Sequence, residues 1–202
     1  MSHKGACATS LNMSNIEIYR IRLNSNKYQS FLPFDQNIWS TDALKMDGRP
    51  KLPDWKSPKI YIHNPKHQRG DFFHFCSGAF VIDSIVAKKM LTFFENAGEL
   101  LPLTFEQYSY FIFNVLECVN CLDLQKTEWV IGKATGEKIR IKKYAFDKNR
   151  LAESTLFKIP ETAAAEILCA SGLKDPEDEF KFQVEAAGLT GLIFEKVWSE
   201  SN

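Results

Sequence analysis

The chain has 202 residues, enough for one substantial domain or two small ones around a buried core. At 45% hydrophobic and 13% aromatic, with sixteen phenylalanines, it is too apolar to remain disordered, and phenylalanine alone can fill much of that core. Twenty-five basic residues balance twenty-five acidic ones, which excludes a partner recognised by overall charge, whether nucleic acid or a target bound through acidity alone.

No apolar run reaches the roughly 18–20 residues that span a bilayer, so no membrane partner is expected. The opening MSHKGACATSLNMSN carries one lysine and no sustained apolar centre, unlike a secretory signal. Residues 1–15 read as a disordered tail, with Met13 as an alternative start. The remainder, 16–202, reads as a single domain: an irregular N-terminal part, 16–65, and a more regularly patterned core, 66–200. Five scattered cysteines fit reduced thiols in a cytoplasmic protein.

In chain order, IEIYRIRL (16–23) alternates β-branched and aromatic residues and predicts a strand. Residues 31–58 are broken by Pro33, Gly48, Pro50, Pro53 and Pro58, and carry Trp39 and Trp55, expected to pack locally. KIYIH (59–63) is a short strand, and FFHFCSGAFVI supplies two short strands or one bent at Gly78. Asp83 caps a helix with Val86, Met90, Phe93 and Ala97 on one face, which Gly98 ends. Leu101, Leu103 and Phe105 then share one side of a strand, and YSYFIFNVL is apolar on both alternating sets, as a buried strand requires. Residues 128–146 predict a hairpin turning at Thr135–Gly136. TLFKI (155–159) is a further strand. The alanine-rich 161–171 fits a helix or a strand, and a strand paired with TLFKI is preferred.

The clearest unit comes last. Asp175 can cap a helix with Pro176 in its first turn; Phe180, Val184 and Ala187 share a face; Gly188 supplies a left-handed stop; and LIFEKVW forms a strand covered on both faces. The expected fold class is therefore α+β: a mixed, largely antiparallel sheet with two principal helices packed on it.

Chemistry-bearing motifs are few. Cys118-x-x-Cys121 lacks the second ligand pair of a structural zinc site and reads as two buried thiols. His63, His67, His74 and Cys76 form the densest group of metal-ligating side chains. Pro65 and Gly70 keep His63 and His67 from sharing a helix, whereas His74 and Cys76 share one face of a strand and are the best metal candidates. A small metal-dependent hydrolase using these four residues is the alternative functional reading. GKATGEK (132–138) holds phosphate-loop residues in the wrong order, inside a hairpin. Two charged patches remain. Residues 133–150 carry seven basic groups against two acidic ones, and 174–200 carry seven acidic groups against three lysines. Of these, Asp175, Glu177, Asp178 and Glu179 are the candidate partner-binding residues, on the expectation of a basic partner.

G-A-F-V-I-D-S, L-L-P-L-T-F, Y-F-I-F-N-V-L with C-L-D-L after it, L-F-K-I, and the closing A-G-L-T-G-L-I-F occur in an order that resembles the immunity proteins of bacterial polymorphic-toxin and type VI secretion systems, in the Imm family numbered eleven. The likeness covers about residues 70–197. It implies a cytoplasmic, non-enzymatic protein without cofactor that binds and blocks one cognate toxin encoded beside it, and it assigns no contact residues.

Overall fold

A computed structural model describes residues 15–106 and 108–201, so all but the last residue of the expected 1–15 tail lies outside the described residues. That last residue, Asn15, is tied down: its amide donates to Ser199 Oγ at 2.8 Å.

The first half contains β1 (Glu17–Leu23), β2 (Phe31–Pro33), β3 (Ile60–Ile62), β4 (Phe72–Phe73) and β5 (Ala79–Asp83). Helices α1 (Ser84–Lys89) and α2 (Leu91–Ala97) follow, then β6 (Gly98–Phe105) and β7 (Tyr108–Val115). The second half contains β8 (Glu128–Ile131), β9 (Lys138–Lys143), β10 (Leu156–Phe157), β11 (Leu168–Ser171), α3 (Phe180–Ala186) and β12 (Leu192–Ser199). The fold is α+β and antiparallel throughout its strand pairs, with helices at 84–97 and 180–186 against the sheets. The strands divide between two four-stranded sheets, ordered β10-β11-β1-β12 and β4-β5-β7-β6, and two hairpin-like pairs, β2-β3 and β8-β9.

Period-two alternation explains how the sheets share three cores. From β5, Phe80 and Ile82 enter a central core, while Ala79 and Val81 enter a second core under the N-terminal turns. β7 divides likewise, Phe113 and Val115 against Tyr110 and Ile112. From β1, Ile21 and Leu23 reach the central core, and Ile16 and Ile18 a third core with Phe146, Phe157 and Trp198. The central core is thus the common wall of both sheets, filled by the helices. Phe180 lies within 5.9–6.4 Å, centroid to centroid, of Phe72, Phe93, Phe94 and Phe194. Edge-to-face and tilted aromatic pairs at these distances add to the stabilisation from burial alone.

Several sequence expectations need correction. The helix capped by Asp83, whose Oδ1 accepts from the amides of Ile85 and Val86, breaks at Met90. The break rotates the second segment, so Phe94 is fully buried and Phe93 only partly. Asp175 caps no α-helix: Pro176–Asp178 closes as a 3-10 turn, and α3 starts after Glu179. Gly188 does make the left-handed stop, at φ 65°. β12 is an edge strand and lacks the expected cover on both faces, since Ile193 is 43% exposed. Residues 168–171 form the strand preferred above, with Leu156 opposite Cys169 and Phe157 opposite Leu168.

One junction joins the two sheets. Thr190 donates its amide and hydroxyl to Asp71 Oδ2, both at 2.7 Å, while its carbonyl accepts from the amides of Asp71 and Phe72. Gly191 follows at φ 107°, where a Cβ would stand 2.2 Å from the Phe72 carbonyl oxygen. The L-T-G-L-I-F stretch therefore fastens β12 to β4.

Candidate functional site

The four metal-candidate side chains are separated by the fold. His63 is exposed, and His67 Nδ1 lies 2.7 Å from Asn64 Nδ2 and 3.1 Å from the Ser25 carbonyl, an arrangement that braces a turn. His74 and Cys76 do line one cleft, of about 470 Å³, between the two sheets. Burial holds the His74 imidazole below its ordinary range, and it pushes the Cys76 thiol up to about 12, the reverse of what activates a nucleophile or a thiolate ligand at Cys76. Among the described residues, no three His, Cys, Asp or Glu side chains are grouped to hold a metal ion.

Two charged groups of that cleft, Arg20 and Glu166, are engaged with each other and with residues beside it. Arg20 Nη1 donates to Glu166 Oε1 at 2.9 Å, and Arg20 Nη2 to both oxygens of Glu195 at 3.0 Å. The Tyr144 hydroxyl donates to the other oxygen of Glu166. The Arg20 guanidinium holds Glu195 below the usual carboxylate range. β1 presents Arg20 on the same side as Ile16 and Ile18, so this ion cluster closes the third core where its apolar side chains end. Its role is to join β1, β12 and the 161–167 segment.

Neither buried Lys158 nor buried Asn114 was singled out from the sequence. Lys158 is fully buried and donates to the Met46 carbonyl at 2.7 Å; desolvation lowers it to about 8. Asn114 donates to Glu99 Oε1 at 2.8 Å and to the Arg49 carbonyl at 2.9 Å, while Glu99 accepts from the amides of Lys51 and Leu52. Both fasten the N-terminal turns onto the sheets. The available signal was a single polar residue inside each apolar run, F-I-F-N-V-L and L-F-K-I.

The C-x-x-C reading holds for only one thiol. Cys121 is buried, with its thiol pushed up to about 12, whereas Cys118 is exposed beyond the end of β7.

The acidic candidates divide. Asp175, Glu177 and Asp178 are exposed on the 3-10 turn, and the last two border a groove of about 410 Å³ with Lys89, Phe93 and Lys174. Glu179 is only 4% exposed. Its carboxylate faces inward, accepting from the Ser171 hydroxyl at 2.7 Å and from the amides of Leu173 and Lys174 at 2.9 and 3.3 Å.

The basic patch is also sorted by the fold. Lys148 pairs with Glu200 at 2.6 Å, Arg150 with Asp147 at 2.9 Å, and Lys142 with Glu128 at 2.9 Å. Lys133, Arg140 and Lys143 are exposed and enter no ion pair among the described residues. They lie on the β8–β9 hairpin, whose strands pair only with each other.

Compared with known families, residues 100–199 match the model of an immunity protein family, Imm11. The matched segment starts at the L-L-P-L-T-F strand and ends on β12; G-A-F-V-I-D-S precedes it. No curated protein matches the chain.

Proposed function

The chain belongs to the Imm11 immunity-protein family, and from that premise we propose that it binds one cognate toxin of a polymorphic-toxin or type VI secretion system in the cytoplasm. Binding is stoichiometric and blocks the toxin, which is encoded beside the immunity gene, so that the producing cell and its kin are protected. The family match over 100–199 carries this reading. The geometry is compatible with it: Arg20 and Glu166 in the 470 Å³ cleft are tied into the scaffold, and charged groups stand free on exposed turns and strands. A total interface of about 1,600 Å² would give tight inhibition without any catalytic step. Asp175, Glu177 and Asp178 are proposed as part of the toxin-facing surface.

Co-expression tests the reading. With the neighbouring toxin induced, the wild-type chain should restore growth, and the two proteins should co-purify at a fixed ratio. An active toxin that neither loses toxicity nor co-purifies would refute it.

A further inference from the structure

We propose that the β8–β9 hairpin is a docking arm, inserted by this protein into an acidic surface of the toxin that also offers an apolar recess. The proposal rests on the immunity reading above and adds the element, and the partner chemistry, through which neutralisation occurs.

An isolated two-stranded hairpin is marginally stable in water and needs an anchor. Here the anchor is at the base. Ile141 is buried in the third core and Trp129 packs against it. Lys138 Nζ stands 4.6 Å from the Trp129 ring centre, so the aromatic face is covered by a cation as well. Beyond this anchor nothing among the described residues covers the hairpin. Ile131 is 50% exposed and Ile139 65% exposed, and they flank the turn on facing strands. The backbone at Gly132 leaves Ile139 room to lie against it, since a Cβ there would meet Ile139 Cδ1 at 3.2 Å.

Single exposed apolar residues are ordinary on a protein surface, and this one has others, such as Ile85 and Leu52. The hairpin differs because its two isoleucines share one exposed two-stranded element with Lys133, Arg140 and Lys143, three cations that enter no ion pair among the described residues. Exposed apolar side chains beside exposed cations supply the two kinds of contact, apolar burial and polar rim, that a protein interface combines. In a chain of zero net charge, residues 128–143 hold five cations against two carboxylates, so the arm presents a local positive field that an acidic surface would complement. The acidic turn offers less. One of its four carboxylates is buried, and two border a groove that also holds Lys89 and Lys174. This ranks the hairpin above the acidic turn, the opposite of the order expected from the sequence.

Calorimetric titration of the purified full chain with the catalytically inactivated toxin encoded beside its gene tests the arm. Two variants carry the question: Lys133→Glu with Arg140→Glu and Lys143→Glu, and Ile131→Ser with Ile139→Ser. All five positions are exposed, and thermal melting should leave both variants folded. Each variant should bind at least about tenfold more weakly, while a control carrying Lys56→Glu and Lys66→Glu should bind like the wild type. A wild type that binds tightly together with hairpin variants within about twofold of it would overturn the arm and leave the immunity reading intact. Weakening by charge reversal alone would also overturn it, because the hairpin would then act only through its field. A wild type that binds no toxin would remove the reading and the arm together.

Discussion

Glu179 and Ser171 are joined by a 2.7 Å hydrogen bond in which the hydroxyl donates to the carboxylate, tying the residue that opens α3 to the end of β11. The same carboxylate collects the amides of Leu173 and Lys174, so it organises the whole connection between strand and helix. Glu179→Ala should therefore cost about 2–3 kcal/mol of stability, the range for removing a buried charged acceptor from several donors. Chemical denaturation measures that loss. In a toxin titration at a temperature where the variant remains folded, affinity should stay near that of the wild type. A large affinity loss with unchanged stability would return Glu179 to the contact surface.

Gly191 gives a second expectation. At φ 107° with the Phe72 carbonyl oxygen where a Cβ would sit, alanine meets both backbone strain and a clash with main chain that cannot rotate away. Gly191→Ala should lower stability by about 3 kcal/mol or more. For a chain of this size that is a fall in melting temperature of roughly 6–12 °C. A melting curve superimposable on that of the wild type would show that β4 and β12 can separate there without penalty.

Lys158 makes stability depend on pH in a direction that can be worked out. An ordinary lysine holds its proton to about 10.5, but burial brings Lys158 down to about 8. Below the lower value both folded and unfolded chains are protonated, and the desolvation penalty is fully present. Between the two values the unfolded chain binds more protons than the folded one, so raising the pH through this window favours folding. From about pH 7 to pH 9 the group should contribute roughly 1.5 kcal/mol of added stability. In Lys158→Met, a similar volume without the charge, that increment should vanish. Urea unfolding of both proteins at the two pH values reads the difference; parallel pH dependence in the two would refute it.

Much of the fold was legible because its signals are local. Asp83 caps where a cap was expected, Gly188 stops α3, Gly136 turns the β8–β9 hairpin, and the Phe residues fill the central core. What was not legible depends on partners distant in sequence. The apolar strands did not reveal that they divide between two sheets, because β1 is paired with β11 and β12 from the far end of the chain. In D-P-E-D-E all four carboxylates look alike, and only the 3-10 turn, which advances the chain before α3 begins, decides that Glu179 points inward. The basic run was equally uniform in sequence. Folding separated it into cations held by Glu128, Asp147 and Glu200 and cations left free on the hairpin.

The central place of β1 bears on the timing of protection. Its neighbours are the strand at 168–171 and the strand that closes the chain, and Ile16 receives the amide of Glu200 as well. During synthesis β1 therefore has no sheet to join until residues 168–171 have left the ribosome, and its second neighbour comes only with β12. Pairing between strands so far apart in sequence makes a sheet slow to form. A chain released before Leu192 leaves β1 without its edge partner, and such a chain should neither hold this sheet nor bind toxin.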